Sequence, residues 1–285
     1  PDLRWSDPIV AEIVQLHRMR RRWIKAKNAL ILQGKAFGRA VCAGDKVAGT
    51  AAYDRVMAGK AAPDGSALEI ALMPFGAAIA HFETSLGPIE KRLEKLAKQL
   101  PIAPFVESTH GLGYGSVAAI VGEAGDLSKY PSVAGVWKRM GLAVIDGDGR
   151  QRRVADAERA LIHGYNPERR SVMWNAGNGI IGGMGNGKRP PAGADLADMG
   201  WTEYQTLFVE RLRYEADREP AMRLTDTKEG KESYTKHAAA RAKRYVEKRL
   251  LRDLTAAWRQ AVGHIASVTQ SCSADRQPLP NEVHE

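Results

Sequence analysis

Ten apolar residues, Leu68, Leu72, Phe75, Ile79, Phe82, Leu86, Ile89, Leu93, Leu96 and Leu100, follow one another at alternating steps of four and three. A 3.5-residue repeat sustained over this length confines the segment to one long helix whose apolar seam another helix must cover. Pro74 and Pro88 fall inside it. Each removes a helical hydrogen bond, so kinks are expected there. The covering helix can come from a second copy of the chain. It can also be the first long helix of the same chain, folded back antiparallel.

That first helix is legible from its start. Ser6 or Asp7 can cap it, and Pro8 suits the first helical position. Val10, Ile13, Val14, His17 and Ile24 carry the pattern on to about Val41. Residues 13–44 hold eight Lys or Arg (Arg18, Arg20, Arg21, Arg22, Lys25, Lys27, Lys35 and Arg39) and no acid. Uncompensated positive charge repels itself, which favours contact with a phosphate backbone over a plain solvated face. His17 has no second histidine at i+4 and reads as a surface or core-edge residue. A shorter helix follows over residues 45–59.

Residues 110–142, HGLGYGSVAAIVGEAGDLSKYPSVAGVWKRMGL, read as two short helices, each preceded by a turn. Val117, Ile120, Val121 and Ala124 make one apolar face; Val133, Val136, Trp137 and Met140 make the other. Gly125 and Gly141 end the helices, and Ser132 can cap the second. A Gly111-Leu112-Gly113 turn opening a helix leaves backbone N–H groups free to hold one phosphate, helped by the helix dipole. Such contacts position a nucleic-acid strand without reading its bases. The same glycines also suit an ordinary turn in a helical domain.

Taken whole, residues 108–144 resemble the helix-hairpin-helix region of the 110 family of insertion-sequence transposases, which includes the Piv-type DNA invertases. The matching features are the glycine hairpin, Gly125-Asp126, Lys129-Tyr130 and the close from Met140 to Ala143. GYNPERRSVMWNAGN at residues 164–178 is similar to the family's helix after the hairpin. YTKHAAARAKRYVEKRLLRDL at residues 234–254 is similar to its basic last helix. The resemblance implies binding of DNA, with a structured RNA as a further partner. It also implies a coiled coil that pairs two copies, so a homo-oligomer through residues 68–100 is expected. Two family features do not show. The first hundred residues have neither the strand pattern nor the four acids of a RuvC-like domain. No serine stands between Val133 and Arg170, where the family carries its nucleophile.

The remaining chemistry is sparse. The formal net charge is +9 and the pI about 9.6, which points to a polyanionic partner. Cys42 and Cys272 provide neither a disulfide framework nor metal-ligand spacing. No apolar run reaches membrane-spanning length and no secretory signal is legible, so a cytoplasmic, nucleoid-associated protein is expected. Asp146 and Asp148 alternate with Gly147 and Gly149 in a turn. They lack the glutamate that would complete a calcium loop. Asp126, Asp156 and Glu158 read as caps and surface acids. The glycines before Lys188 lack P-loop spacing, and the glycine- and proline-rich residues 181–195 read as a mobile loop.

The expectation is therefore an all-α fold of long coiled-coil-like helices plus a helix-hairpin-helix module. Its parts are a basic N-terminal region (1–66), a coiled-coil helix (67–104), a transposase-like domain (105–266) and a disordered tail (267–285). The last helix should bury Val246, Leu250, Leu254, Trp258, Val262 and Ile265. The nucleic-acid contacts are expected from Gly111, Leu112, Gly113, Tyr114, Gly115, Ser116 and Lys129 of the hairpin. Arg20, Arg21, Arg22 and Lys25 add charge from the first helix, and Arg150, Arg152 and Arg153 from the turn. Arg241, Arg244 and Lys248 add it from the last helix. No catalytic residue, metal or cofactor is expected. The alternatives are an active recombinase using Ser108, Ser116 or Ser171, and a coiled-coil scaffold.

Overall fold

A computed structural model describes residues 6–60, 66–182, 190, 194–223 and 232–274, with only the backbone at 66–69 and 264–274. The described chain is almost wholly helical, as the patterning demands, with one two-residue hairpin, β1 (Val144–Ile145) paired with β2 (Gly149–Arg150). The loop expected at 181–195 and the tail beyond Ala274 lie largely or wholly outside the described residues. So do the side chains of Leu68, Ile265 and Cys272. No described helix is long and apolar enough to cross a membrane. The chain divides into two compact units, Glu12–Lys95 and Pro1–Ala11 with Leu96–Glu285.

The smaller unit is built from most of α1 (Pro8–Val41), α2 (Lys46–Met57) and α3 (Ser66–Ala97). Asp7 caps α1 by accepting from the N–H groups of Ile9 and Val10, and Asp45 caps α2 in the same way. α3 continues as a helix through both Pro74 and Pro88. It lies antiparallel to α1, because ion pairs join Glu12 to Arg92 (2.7 Å), Arg20 to Glu90 (2.8 Å) and Lys27 to Glu83 (3.4 Å). Trp23 meets Phe82 edge-on at 6.0 Å in the same interface.

The heptad seam is thus covered from within the chain. Leu72, Leu86, Ile89 and Leu93 are buried without a second copy. Of the two partners the seam could take, the fold shows the intrachain one, an antiparallel pair of α3 with α1. His17 is buried here rather than at the surface. The turn between α1 and α2 allows a close crossing. A Cβ at Gly38 would sit 2.6 Å from the Gly49 carbonyl oxygen, and one at Gly49 would strike the Arg39 backbone. Beside it Ala52, Tyr53 and Leu72 form a core that Ile31, Cys42, Phe75 and Ile79 extend.

In the larger unit α10 (Lys236–Ala274) is the central element. It packs on α9 (Glu203–Arg218), α8 (Pro167–Ile181) and α6 (Val133–Arg139), and α8 packs on α5 (Tyr114–Ala124). α4 (Ala103–Ser108) precedes α5, and α7 (Ala157–His163) precedes α8. Val246, Leu250, Leu254 and Trp258 are buried along α10, as their spacing requires. The helix runs on to Ala274, into the stretch read as a disordered tail. Asn166 with Pro167 starts α8, and a Thr202–Gln205 capping box starts α9. Asp126 and Asp156 do act as caps, the latter for α7.

Two substitutions test the smaller unit. Leu86→Ala should cost ~2–5 kcal/mol of stability and leave the mass by light scattering unchanged; a halved mass would restore the seam to a dimer. Gly49→Ala should lower stability by about 1–3 kcal/mol through overpacking. Gly87→Ala, where a Cβ meets nothing within 4 Å, should not lower it.

Candidate functional site

The hairpin comes first in the chain. Gly111 takes φ +82°, and a Cβ there would collide with the Gly179 carbonyl; a Cβ on Gly179 would lie 2.5 Å from the Gly111 oxygen. The two glycines let the turn and α8 touch backbone to backbone. Gly111 is therefore explained by packing, and Leu112 is buried beneath it. Gly113 differs. It is exposed, it occupies the N-cap of α5, and a Cβ there meets nothing within 4 Å. Its carbonyl accepts from Ser116 and Val117 (3.0 and 3.2 Å). The N–H groups of Tyr114 and Gly115 fall in the first turn, where a helix has no carbonyls of its own to offer. Tyr114 donates to Glu107 (2.8 Å) beneath Lys98. Ser132 takes the N-cap backbone position of α6, but its hydroxyl makes no capping bond.

Behind the hairpin, polar anchors tie it to α10. Trp137 Nε1 donates to the Lys248 carbonyl (3.0 Å), and the Lys248 ammonium lies 4.1 Å over the Trp137 ring. Tyr130 donates to the Ala124 carbonyl (2.7 Å), and Arg139 to that of Glu123 (2.9 Å). Lys129 is exposed on the 3₁₀ turn between α5 and α6.

The densest charge lies where α8 crosses α10. Glu247 has no exposed surface, yet Arg170 pairs with it at 2.8 Å, and buried Lys243 sits one turn before it on α10. Lys243 Nζ bonds Asn178 and lies 3.1 Å over the Trp174 ring, which is 45% exposed. The approach depends on Gly177, because a Cβ there would come within 2.8 Å of Glu247 Cγ and 3.1 Å of Lys243 Cε. Arg244 is half-buried, with Arg170 and Arg150 as like-charged neighbours. One carboxylate thus stands among Arg170, Lys243, Arg244 and Arg150, a local surplus of positive charge.

The titration shifts follow from this crowding. Burial pushes the Glu247 carboxyl well above its ordinary 4.5, against the pull of Arg170, Lys243 and Arg244. Burial pushes Lys243 down, opposed by Glu247 and helped by Arg170. Burial, then Arg170 and Arg150, lower Arg244; burial and Arg244 lower Lys248. An anion placed among these cations would relieve their mutual repulsion.

Of the predicted basic residues, the fold brings Arg150, Arg244 and Lys248 towards this region. Arg152 and Arg153 are exposed beside the hairpin. The Arg152 guanidinium is 3.7 Å from Asp148, and its backbone N–H donates to His163 Nδ1 (3.1 Å). Arg241 is paired with Glu215 (3.1 Å) and Glu219 (3.2 Å). Asp148 is committed to Arg159 and to buried His163 (3.0 Å). Hydrogen bonds from Arg159 and His163 hold its carboxyl down at about 2.

In the other unit part of the basic run is compensated, from outside α1. Arg20 and Lys27 meet acids of α3, and Lys35 meets Asp54 of α2 (3.3 Å). Arg21 is also engaged, while Arg22 and Lys25 are exposed. The serines considered as nucleophiles donate within their own helices where they are bonded, Ser108 to Phe105 (3.0 Å) and Ser171 to Glu168 (2.7 Å). Among the described residues, no group of three His, Cys, Asp or Glu could hold a metal ion. Sequence reading missed Arg170, Trp174, Lys243 and Glu247 as a set. The available signal was that 243, 247, 250 and 254 continue the buried stripe of α10.

Compared with known proteins, the chain matches no family model, no curated protein and no solved structure.

Because the Glu247 pKa is raised, the native state keeps a proton that the unfolded chain releases. That contribution is full below the ordinary 4.5 and is lost as pH rises through the folded pKa. Urea midpoints of the wild type should therefore fall between about pH 5 and about pH 8 more than those of Glu247→Gln. Parallel pH profiles would contradict the assignment.

Proposed function

We propose that the chain binds the sugar–phosphate backbone of nucleic acid, DNA in the first place. It would act in, or descend from, a transposition or site-specific recombination system, without supplying the cutting chemistry. The observation that carries this reading is the surplus of cations held at the α8–α10 crossing around one buried carboxylate. Cations held there by packing lose little conformational freedom when they meet a phosphate. The overall charge of +9 acts in the same direction at longer range. The open N-terminus of α5 at Gly113 adds a place where backbone amides can meet a further phosphate. The resemblance of residues 108–144, 164–178 and 234–254 to the 110-family transposases supplies the recombination context. The same resemblance makes a structured RNA the natural second partner.

The test is a salt series on a fluorescein-labelled duplex. Each phosphate contact contributes a slope of about −0.9 in log affinity against log salt. Arg150→Gln, Arg244→Gln and Lys248→Gln should each weaken binding and flatten the slope by about 0.9. Unchanged slopes in folded variants would return these residues to the solvated surface. Gly113→Val removes no charge and has open space around it. It should lower affinity at an unchanged slope by blocking close approach to the α5 amides. Wild-type affinity in that variant would remove the hairpin from the interface.

A further inference from the structure

On the face of the larger unit formed by α9 and α10, aromatic rings and guanidinium groups alternate. Arg211, Tyr214 and Arg218 lie at i, i+3 and i+7 on α9, one face of the helix, and Tyr245 comes from α10. The Arg211 guanidinium is 4.3 Å from the Tyr214 ring centre and 4.8 Å from that of Tyr245. Arg218 adds a further cation 5.7 Å from Tyr214. Contact therefore runs Tyr245, Arg211, Tyr214, Arg218. The rungs are fixed from below. Arg211 pairs with buried Glu215 at 2.5 Å, and Arg241 grips the same carboxylate from α10. Burial raises the Glu215 pKa, but the hydrogen bonds from Arg211 and Arg241 outweigh it and keep the carboxyl ionised. Although anchored in this way, Tyr214 and Tyr245 remain 48% and 40% exposed.

We infer that this ladder stacks the unpaired bases of a single-stranded segment of nucleic acid; the inference rests on the nucleic-acid reading above and narrows it. Every base has a π-face, so stacking on tyrosine is indifferent to sequence, and arginine planes join such stacks. In a duplex those faces are already covered by neighbouring base pairs. A ladder of this kind therefore distinguishes single from double strands, which a phosphate contact alone does not. Arg211 acts here as a spacer between rings, since Glu215 balances its charge. Removing a ring should cost affinity without changing the salt dependence.

The experiment uses the full chain and three fluorescein-labelled probes of about a dozen nucleotides: a uridine oligoribonucleotide, a thymidine oligodeoxyribonucleotide and a mixed-sequence DNA duplex. Wild type should bind at least one of the single strands. Tyr214→Ala and Tyr245→Ala should each weaken that binding by roughly 5- to 150-fold, with the salt slope and duplex affinity unchanged. Tyr214→Phe should bind like wild type. Loss on the RNA, the DNA or both identifies the strand used, and each supports the inference. Alanine variants that melt like wild type and bind single strands equally well overturn it, as does an equal loss on the duplex. Should an alanine variant fail to fold, wild-type competition decides: unlabelled single strand must displace labelled single strand better than duplex of equal phosphate count. Wild type that binds duplex but no single strand overturns the ladder and leaves the phosphate reading standing. Wild type that binds none of the probes overturns both.

Discussion

Glu247 is the buried carboxyl around which the α8–α10 crossing is assembled. A carboxyl with no solvent contact is costly to ionise unless cations surround it; Arg170 at 2.8 Å and Lys243 one turn away offset that cost only in part, and burial still raises its pKa. The requirement then propagates. Gly177 must lack a side chain so that α8 can reach Glu247 and Lys243. The Lys243 ammonium is instead taken up by Asn178 and the Trp174 ring. Arg244 and Arg150 crowd a region where the acid is already taken. Positive charge is left over at a place the fold holds still.

The same rule recurs in the larger unit. Glu215 is shared by Arg211 and Arg241, and Asp148 by Arg152, Arg159 and His163. Each carboxylate fixes more than one basic group. In the Asp148 case the Arg152 N–H donates to His163 Nδ1, so the histidine presents its Nε2–H to the carboxylate. In the smaller unit the ion pairs are exposed and one-to-one between antiparallel helices, where each is worth little. There the apolar seam supplies the stability.

Local signals were legible in the sequence wherever one residue decides a conformation. Asp7 with Pro8, Asp45, Asn166 with Pro167, and Thr202 all start helices where their capping chemistry puts them. The stripe from Val246 to Trp258 is buried as its spacing requires. Questions of partnership were not legible. A 3.5-residue repeat states that a helix covers the seam but not which chain supplies it. The missing clue was charge: α1 has no acid over residues 13–44, while Glu83 and Glu90 stand seven apart on α3 and meet Lys27 and Arg20. Gly111 looked like a place for a ligand because a positive φ and a close approach leave the same mark. The neighbour that approaches is Gly179. Lys243 and Glu247 are buried yet carry no hydrophobic signal, although both sit on the buried spacing of α10.

The central claim is that surplus cations at the α8–α10 crossing receive phosphate. Arginine- and lysine-selective modification, read by peptide mass spectrometry with and without a DNA duplex, tests it most directly. The account predicts that Arg150, Arg244 and Lys248 lose reactivity when duplex is added, while Arg241, already held by Glu215 and Glu219, does not change. Duplex that binds yet leaves Arg150, Arg244 and Lys248 as reactive as in the free protein would contradict it.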